Sequence, residues 1–424
     1  MLTPRLARLL RPVRSALVAS ASLALTHTLA YALTLAITIA VTPVVLSAQV
    51  DTSFAALQAV FRAYTRADSV VGASLLAAQG GKPVGRVNVG LADRALAQPV
   101  DDATIYHWGS ITKTLTAVAI MQLRDRGKLT LDDRITRYLP ELRRIHAPVG
   151  SMDDITLRML LSHSAGTRNG TWPYGDGSTW QPFEPTTWEQ LVSMMPYQRL
   201  LFAPGAQYGY SNPAFVYLAR VIEQLTGDPW IHYIQKNIWT PLGLTGSYVN
   251  TTPYHLADHR SNNYDVRRDS SSKAVRIVAN GRDFDPGITI PNGGWNAPLS
   301  DLLTYAAFLT NDTGGDAARR RLFDTVLSRT SFDEMWRAVV PLDKAMPNDG
   351  AMGLSFFLYP RGSERIIGHT GSQAGFRAFL WFNPRTASVV IAAFNTTSYA
   401  NLNGADQAQR ALNDAVFRYL EGTR

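Results

Sequence analysis

Cysteine is absent from all 424 residues. That excludes disulfides, thiol catalysis and cysteine-ligated zinc, and it is compatible with an exported, oxidising address. Blocks of Lys or Arg are missing too. Of the formal charge of +8, four charges are Arg5, Arg8, Arg11 and Arg14, and the rest is spread along the chain. Such a distribution leaves no electrostatic footprint for nucleic acid, so no nucleic-acid partner is expected. No acid precedes Asp51, and no charge of either sign lies between Arg14 and Asp51. Tyr31 to Val45 is dominated by Leu, Ile, Val, Ala and Thr. A basic flank followed by an apolar run is an export signal. Its length fits both a cleavable core of about 7 to 15 residues and a spanning helix of about 20. Residues 1–48 are therefore expected to be a signal peptide, cut after Leu46-Ser47-Ala48, or an N-terminal membrane anchor. The protein is then periplasmic or otherwise extracytoplasmic, attached to the inner membrane in the second case.

Two further absences narrow the chemistry. Neither Ser110 nor Ser372 lies in a G-x-S-x-G sequence, which excludes the α/β type of Ser-His-Asp hydrolase. His255 and His259 stand four apart, but they lack the His-Glu-x-x-His pattern and an evident third ligand, so no metal is expected.

The remaining chain, 49–424, reads as one catalytic body. Phe54, Leu57, Val60, Phe61 and Tyr64 recur at helical spacing. Val70 to Ala78 and Val84 to Gly90 read as strands joined at Gly80-Gly81. A helix is expected from near Gly109 to Gly127, and a short helical stretch from Leu129 toward Leu139. About 145 to 285 carries Gly- and Trp-rich loops with helices at Trp188 to Met195 and Ala214 to Leu225, and few strand signals. Leu299 to Leu309 is helical by period. Leu354 to Tyr359, Gly375 to Phe382 and Ser388 to Phe394 read as strands, and Asn403 to Leu420 as a closing helix. Strands at both ends with helices between predict an α/β protein of the α+β type. One antiparallel sheet would be built from about 51–110 and 286–424, flanked by helices, with a mostly helical part over about 111–285.

Chemistry concentrates in three places. Ser110 and Lys113 are three apart at a helix start, which puts their Cβ atoms about 5 to 6 Å apart on one face, suited to a nucleophile with its own base. The unpaired N–H groups of a first helical turn favour an oxyanion there. Tyr210-Ser211-Asn212 follows a Pro/Gly loop and precedes a helix, where a scaffold presents side chains. His369-Thr370-Gly371-Ser372 falls on or beside a strand edge, where a substrate docks through backbone hydrogen bonds.

Taken in order, Ser110-x-x-Lys113, Tyr210-x-Asn212 and His369-Thr370-Gly371 resemble the penicillin-recognising serine hydrolases, with their S-x-x-K, S-D-N and K-T-G motifs. The Tyr-x-Asn form is similar to the branch holding class C β-lactamases, D-Ala-D-Ala carboxypeptidases, D-aminopeptidases and related esterases. Leu160 to Gly166, Pro241 to Leu244 and Gly368 to Gly371 also look like that branch. The resemblance implies a β-lactamase/transpeptidase-like fold, a cofactor-free reaction and a small-molecule or peptide substrate. It implies attack by Ser110, base and acid work shared by Lys113 and Tyr210, and a hydrogen bond from Asn212 to Lys113 or to the substrate. His369, Thr370 and Gly371 would bind substrate, and the backbone N–H groups of Ser110 and Ser372 would form the oxyanion hole. Burial lowers a Lys pKa and a neighbouring ammonium lowers that of Tyr, so which of the two takes the first proton stays open.

His369 stands where β-lactamases of this branch carry Lys. Its imidazole pulls less on a substrate carboxylate, with a charge expected to vary near pH 6.5. The resemblance then implies a hydrolase of D-amino-acid peptides or esters ahead of a class C-like β-lactamase. A non-catalytic, membrane-anchored sensor of cell-wall peptides is the alternative of another class. The aromatic loop holding Trp172 and Trp180, with Trp188 beyond it, matches no motif and either walls the cleft or packs in the helical part.

Overall fold

A nine-stranded antiparallel sheet carries the chain's two ends. The computed structural model describes residues 51–170, 185–342, 349–400, 402 and 404–422, so the basic and apolar leader, Trp172 and Trp180 lie outside the described residues. Thr52–Arg424 folds as one compact unit. Among the described residues, no helix is long and apolar enough to cross a membrane.

The first helix, α1 (Phe54–Ala67), starts at an N-cap where the Ser53 side chain accepts from the Ala56 N–H, as short hydroxyl residues do at that position. It leads into β1 (Gly72–Gln79), β2 (Lys82–Asp93), β3 (Gln98–Pro99) and β4 (Ile105–His107). Gly80 and Gly81, both at positive φ, turn the β1–β2 hairpin. Then comes α2 (Thr112–Asp125), and later α3 (Pro213–Thr226). The strands β5 (Asn263–Arg268), β6 (Val275–Gly281) and β7 (Asn296–Pro298) precede α4 (Leu299–Thr310). The last part runs β8 (Val340–Pro341), β9 (Ala351–Met352), β10 (Phe357–Arg361), β11 (Glu364–Gln373), β12 (Phe376–Asn383), β13 (Ser388–Phe394), β14 (Thr396–Ser398) and α5 (Ala405–Gly422).

The main sheet runs β3-β2-β1-β13-β12-β11-β10-β9-β8, so β1 near the start pairs with β13 near the end, Leu75 opposite Ala392. Both faces are covered, which is why β13 reads as an unbroken apolar run. Val390, Ala392 and Phe394 pack under α1 and α5, while Val389, Ile391 and Ala393 join the core shared with α2, α3 and α4. On β12 the same alternation sends Phe379 and Trp381 one way and Leu380 and Phe382 the other.

Three local readings change. The helix expected at Gly109 begins as a 3₁₀ turn, Gly109–Ile111, and becomes α-helical only at Thr112. The stretch from Leu129 toward Leu139 yields 3₁₀ turns at Ile135–Arg137 and Pro140–Arg144. The strand expected from Leu354 begins at Phe357, because Ser355 takes a φ of +68° and its N–H donates to Leu161 O. One element is new. β5 and β6 form a hairpin inside the region expected to be mostly helical, and β14 joins it to make a small three-stranded sheet. β6 is largely exposed even at Val275 and Val278, so it carries no alternating burial pattern and is held by its pairing with β5.

Ile391, fully buried at the sheet centre, sets the stability expected of this frame. Ile391→Ala should cost about 2 to 5 kcal/mol, read as a lower urea midpoint with an unchanged m-value; a loss below about half a kcal/mol would contradict a close-packed two-faced sheet.

Candidate active site

Ser110 lies in the 3₁₀ turn ahead of α2, and that geometry decides its relation to Lys113. With three residues per turn, side chains at i and i+3 eclipse, and Ser110 Oγ lies 2.9 Å from Lys113 Nζ. α2 is buried along Thr112 to Leu123. Its hydroxyls are used up: Thr114 Oγ1 donates to Ile111 O and Thr116 Oγ1 to Pro291 O. Lys113 on this buried helix is 0% exposed.

The amine's two other hydrogen bonds go to pure acceptors, Asn212 Oδ1 at 2.8 Å and the Asn292 carbonyl at 2.7 Å. Among the described residues, no carboxylate is a partner of it. Burial alone pulls the Lys113 pKa well below its usual value, because desolvation penalises the charged form. A neutral amine spends both N–H bonds on these acceptors and keeps its lone pair for Ser110.

Tyr210 goes the other way. Burial pushes its hydroxyl pKa up, against a smaller lowering from a hydrogen bond with Ser110 and a small raising by Tyr208. The Lys113 nitrogen stands 5.0 Å from the Tyr210 ring centre. Desolvation dominates for both groups, favouring the neutral amine and the protonated phenol.

His163 holds Tyr210 in place, a task the sequence did not show. Its backbone takes a φ of +56°. Its carbonyl accepts from Gly209 N at 2.7 Å and its Nδ1 accepts from Ser211 N at 3.0 Å. Its ring stacks on Tyr210 with centroids 4.2 Å apart. Both chain neighbours of Tyr210 are thus tied to one imidazole residue, and burial first, then Lys113 and His369, drives its pKa well below the usual value. Asn212 is fixed in turn by Asn169, whose Oδ1 accepts from Asn212 Nδ2 at 3.0 Å. The Asn292 carbonyl was also invisible in the sequence, since a backbone oxygen needs no particular residue type.

β11 closes the other side. β10 pairs with it only from Glu364 to Gly368, and beyond that point the Ser110 turn packs against it. A Cβ on Gly371 would fall 1.9 Å from Trp108 O, and one on Gly109, at a φ of +50°, 2.8 Å from Ser372 N. Only glycines allow this approach, which sets the backbone of the Ser110 turn against that of β11 at Gly371 and Ser372. A cleft of about 600 Å³ opens here, lined by Ser110, Tyr210, Asn212, Thr370, Gly371 and Ser372 among others.

His369 is not in that lining. It is buried at 1% exposed, its Nδ1 is 2.5 Å from Thr370 O, and its ring lies against Phe357. Burial and, secondarily, Lys113 bring its pKa down to about 3. The expectation of a charge varying near pH 6.5 is therefore corrected: the imidazole is neutral at working pH because water does not reach it. His255 and His259 fall in a 3₁₀ turn, Tyr254–His259, where residues four apart do not share a face. Among the described residues no cluster of three or more His, Cys, Asp or Glu suits a metal ion.

Comparison with known proteins bears on the family and the fold. A family model described as Beta-lactamase matches residues 57–414. The chain is 28% identical to Esterase EstB of Burkholderia gladioli over 409 residues, covering 88% of this chain and 98% of that one. It superposes on a D-stereospecific amidohydrolase from Streptomyces with a TM-score of 0.65 at 25% identity, over 86% of this chain and 98% of that one. A class C β-lactamase gives 0.66 at 18% identity, over 87% and 96%, a likeness of fold. A two-faced antiparallel sheet with Ser110 and Lys113 at its helical border is the β-lactamase/transpeptidase-like fold, and the chain belongs to the beta-lactamase family of serine hydrolases.

Proposed function

We propose that the protein hydrolyses an ester or amide carbonyl through an acyl-enzyme on Ser110, with a carboxylic ester or a D-amino-acid peptide as substrate. The observation that carries this reading is the 2.9 Å contact between Ser110 Oγ and a fully buried Lys113 whose other partners are acceptors only. Ser110 Oγ attacks the carbonyl carbon as its proton passes to the neutral Lys113. The new ammonium then forms beside the developing oxyanion, which the N–H groups of Ser110 and Ser372 receive. On collapse, the protonated Tyr210 is placed to donate to the leaving oxygen or nitrogen and is re-protonated from Lys113. Water repeats the sequence on the acyl-enzyme. Lys113 is thus the first base and Tyr210 the acid.

A withdrawn, neutral His369 supports esters and peptides over β-lactams, because no cation at that position reaches a substrate carboxylate. Likeness to an esterase along nearly its whole length supports esters. The end of the β10–β11 pairing at Gly368 leaves Thr370 to Ser372 to line the cleft, which supports an extended peptide laid along that strand. The basic, then uncharged leader supports export, as a cleaved signal or a retained anchor.

Turnover of an activated ester that disappears in Ser110→Ala supports the enzyme; no turnover of ester, D-peptide or cephalosporin would favour the binding-only sensor. Lys113→Ala should lower acylation by several orders of magnitude. Because the reactive form is the neutral amine, kcat/KM rises with pH through a pKa depressed well below 10.5 and then stays level, with no fall near pH 10, since the Tyr210 pKa moves upward. A rising limb centred near 10 would contradict the assignment. His163→Phe keeps a ring on Tyr210 but strips the acceptor from Ser211 N, leaving a buried N–H at a cost of about 1 to 3 kcal/mol. Stopped-flow acylation should slow on the order of tenfold or more; a wild-type rate in a folded variant would remove His163 from this role.

A further inference from the structure

The cleft's lining is almost uncharged. Beside Ser110 and the strand residues it is walled by Tyr64, Tyr208, Phe357, Phe379, Phe394 and Leu412, with amides from Gln409 and Asn413. Among the described lining residues, Arg377 is the one charged side chain. We infer that Arg377 is a specificity-determining residue that receives an anionic group, a carboxylate, on the substrate; the inference rests on the proposed hydrolysis at Ser110.

Position and orientation both support it. Arg377 on β12 pairs across with Ser372 on β11, whose N–H faces the attacked carbonyl in the proposed reaction, and with Phe394 on β13. Directly opposed residues have Cβ atoms about 4.5 to 5.5 Å apart on one face, so Arg377 starts one strand away from the proposed oxyanion hole. The side chain is held along one edge. Its Nε donates to Thr396 O at 3.0 Å and its Nη2 to the buried Asp68, which also accepts from Tyr64 OH at 2.9 Å. Among the described residues its hydrogen bonds are made by Nε and Nη2, and the residue itself lines the cleft. The Tyr64 and Phe394 rings pack against the guanidinium at 5.6 and 5.8 Å. A fork fixed before binding loses little freedom on taking a carboxylate, and its apolar surroundings strengthen the bond. Asp68 offsets the charge but occupies only one of the two terminal nitrogens.

The test uses two pairs of esters. Mono-p-nitrophenyl glutarate against p-nitrophenyl pentanoate puts the carboxylate on the acyl side. Para-acetoxybenzoate against its methyl ester puts it on the leaving side. In at least one pair the wild-type enzyme should prefer the anionic member about tenfold in kcat/KM, through KM, and added salt should erode that preference. Arg377→Gln should lower the ratio about tenfold, while Arg377→Lys retains part of it and Asp68→Asn keeps its direction. If Arg377 is only a tie between α1 and the sheet, Arg377→Gln and Asp68→Asn weaken thermal stability and slow both members of each pair alike, leaving the ratio unmoved. That outcome overturns the inference, as does a wild-type preference for the neutral member in both pairs. Should Arg377→Gln fail to fold, a wild-type preference insensitive to salt overturns it equally. In each case Ser110-dependent turnover of the neutral esters still stands, whereas absence of any turnover removes the proposed function itself.

Discussion

The site depends on a lysine that has lost its water. Lys113 is carried on α2, a helix buried along nearly its whole length, and its nitrogen meets a serine hydroxyl, an amide oxygen and a backbone carbonyl. Keeping an ammonium there without a carboxylate partner costs several kcal/mol. Releasing the proton removes that cost and leaves an amine with two donors for two acceptors and a lone pair for Ser110. The same burial acts with opposite sign on Tyr210 and holds its phenol protonated. One physical cause, desolvation, thus moves the two pKa values apart, as the proposed base and acid require.

The remaining parts hold this pair in register with the sheet. The 3₁₀ turn sets Ser110 over Lys113, and Gly109 and Gly371 let the turn and β11 touch backbone to backbone. His163 grips the residues on both sides of Tyr210, and Asn169 fixes Asn212. Thr370, Ser372 and Arg377 line the cleft, while His369 packs away from it.

Much of the frame was legible in the sequence because it follows simple rules. The amphipathic period of α1, the Gly-Gly hairpin and the apolar run of β13 each matched an element, and the pairing of the chain's two ends followed from strands at both. The three motifs brought Ser110, Lys113, Tyr210 and Asn212 together across a hundred residues. What stayed hidden depends on tertiary context. The β6 strand is exposed without an alternating pattern and exists by its pairing with β5. Asn292 acts through a carbonyl that any residue supplies. The order of proton transfer rests on burial, and burial also silences the charge that the sequence lent to His369. Arg377 carries no motif and gains meaning only as the one charge beside Ser372 across two strands.

The most direct measurement is the titration of Lys113 itself, by NMR of the protein labelled in the lysine side chains and assigned with a Lys113→Arg variant. The account predicts a pKa displaced well below 10.5, with the amine neutral over the pH range of turnover. A Lys113 that titrates at the ordinary lysine value, staying an ammonium while the enzyme works, would contradict it.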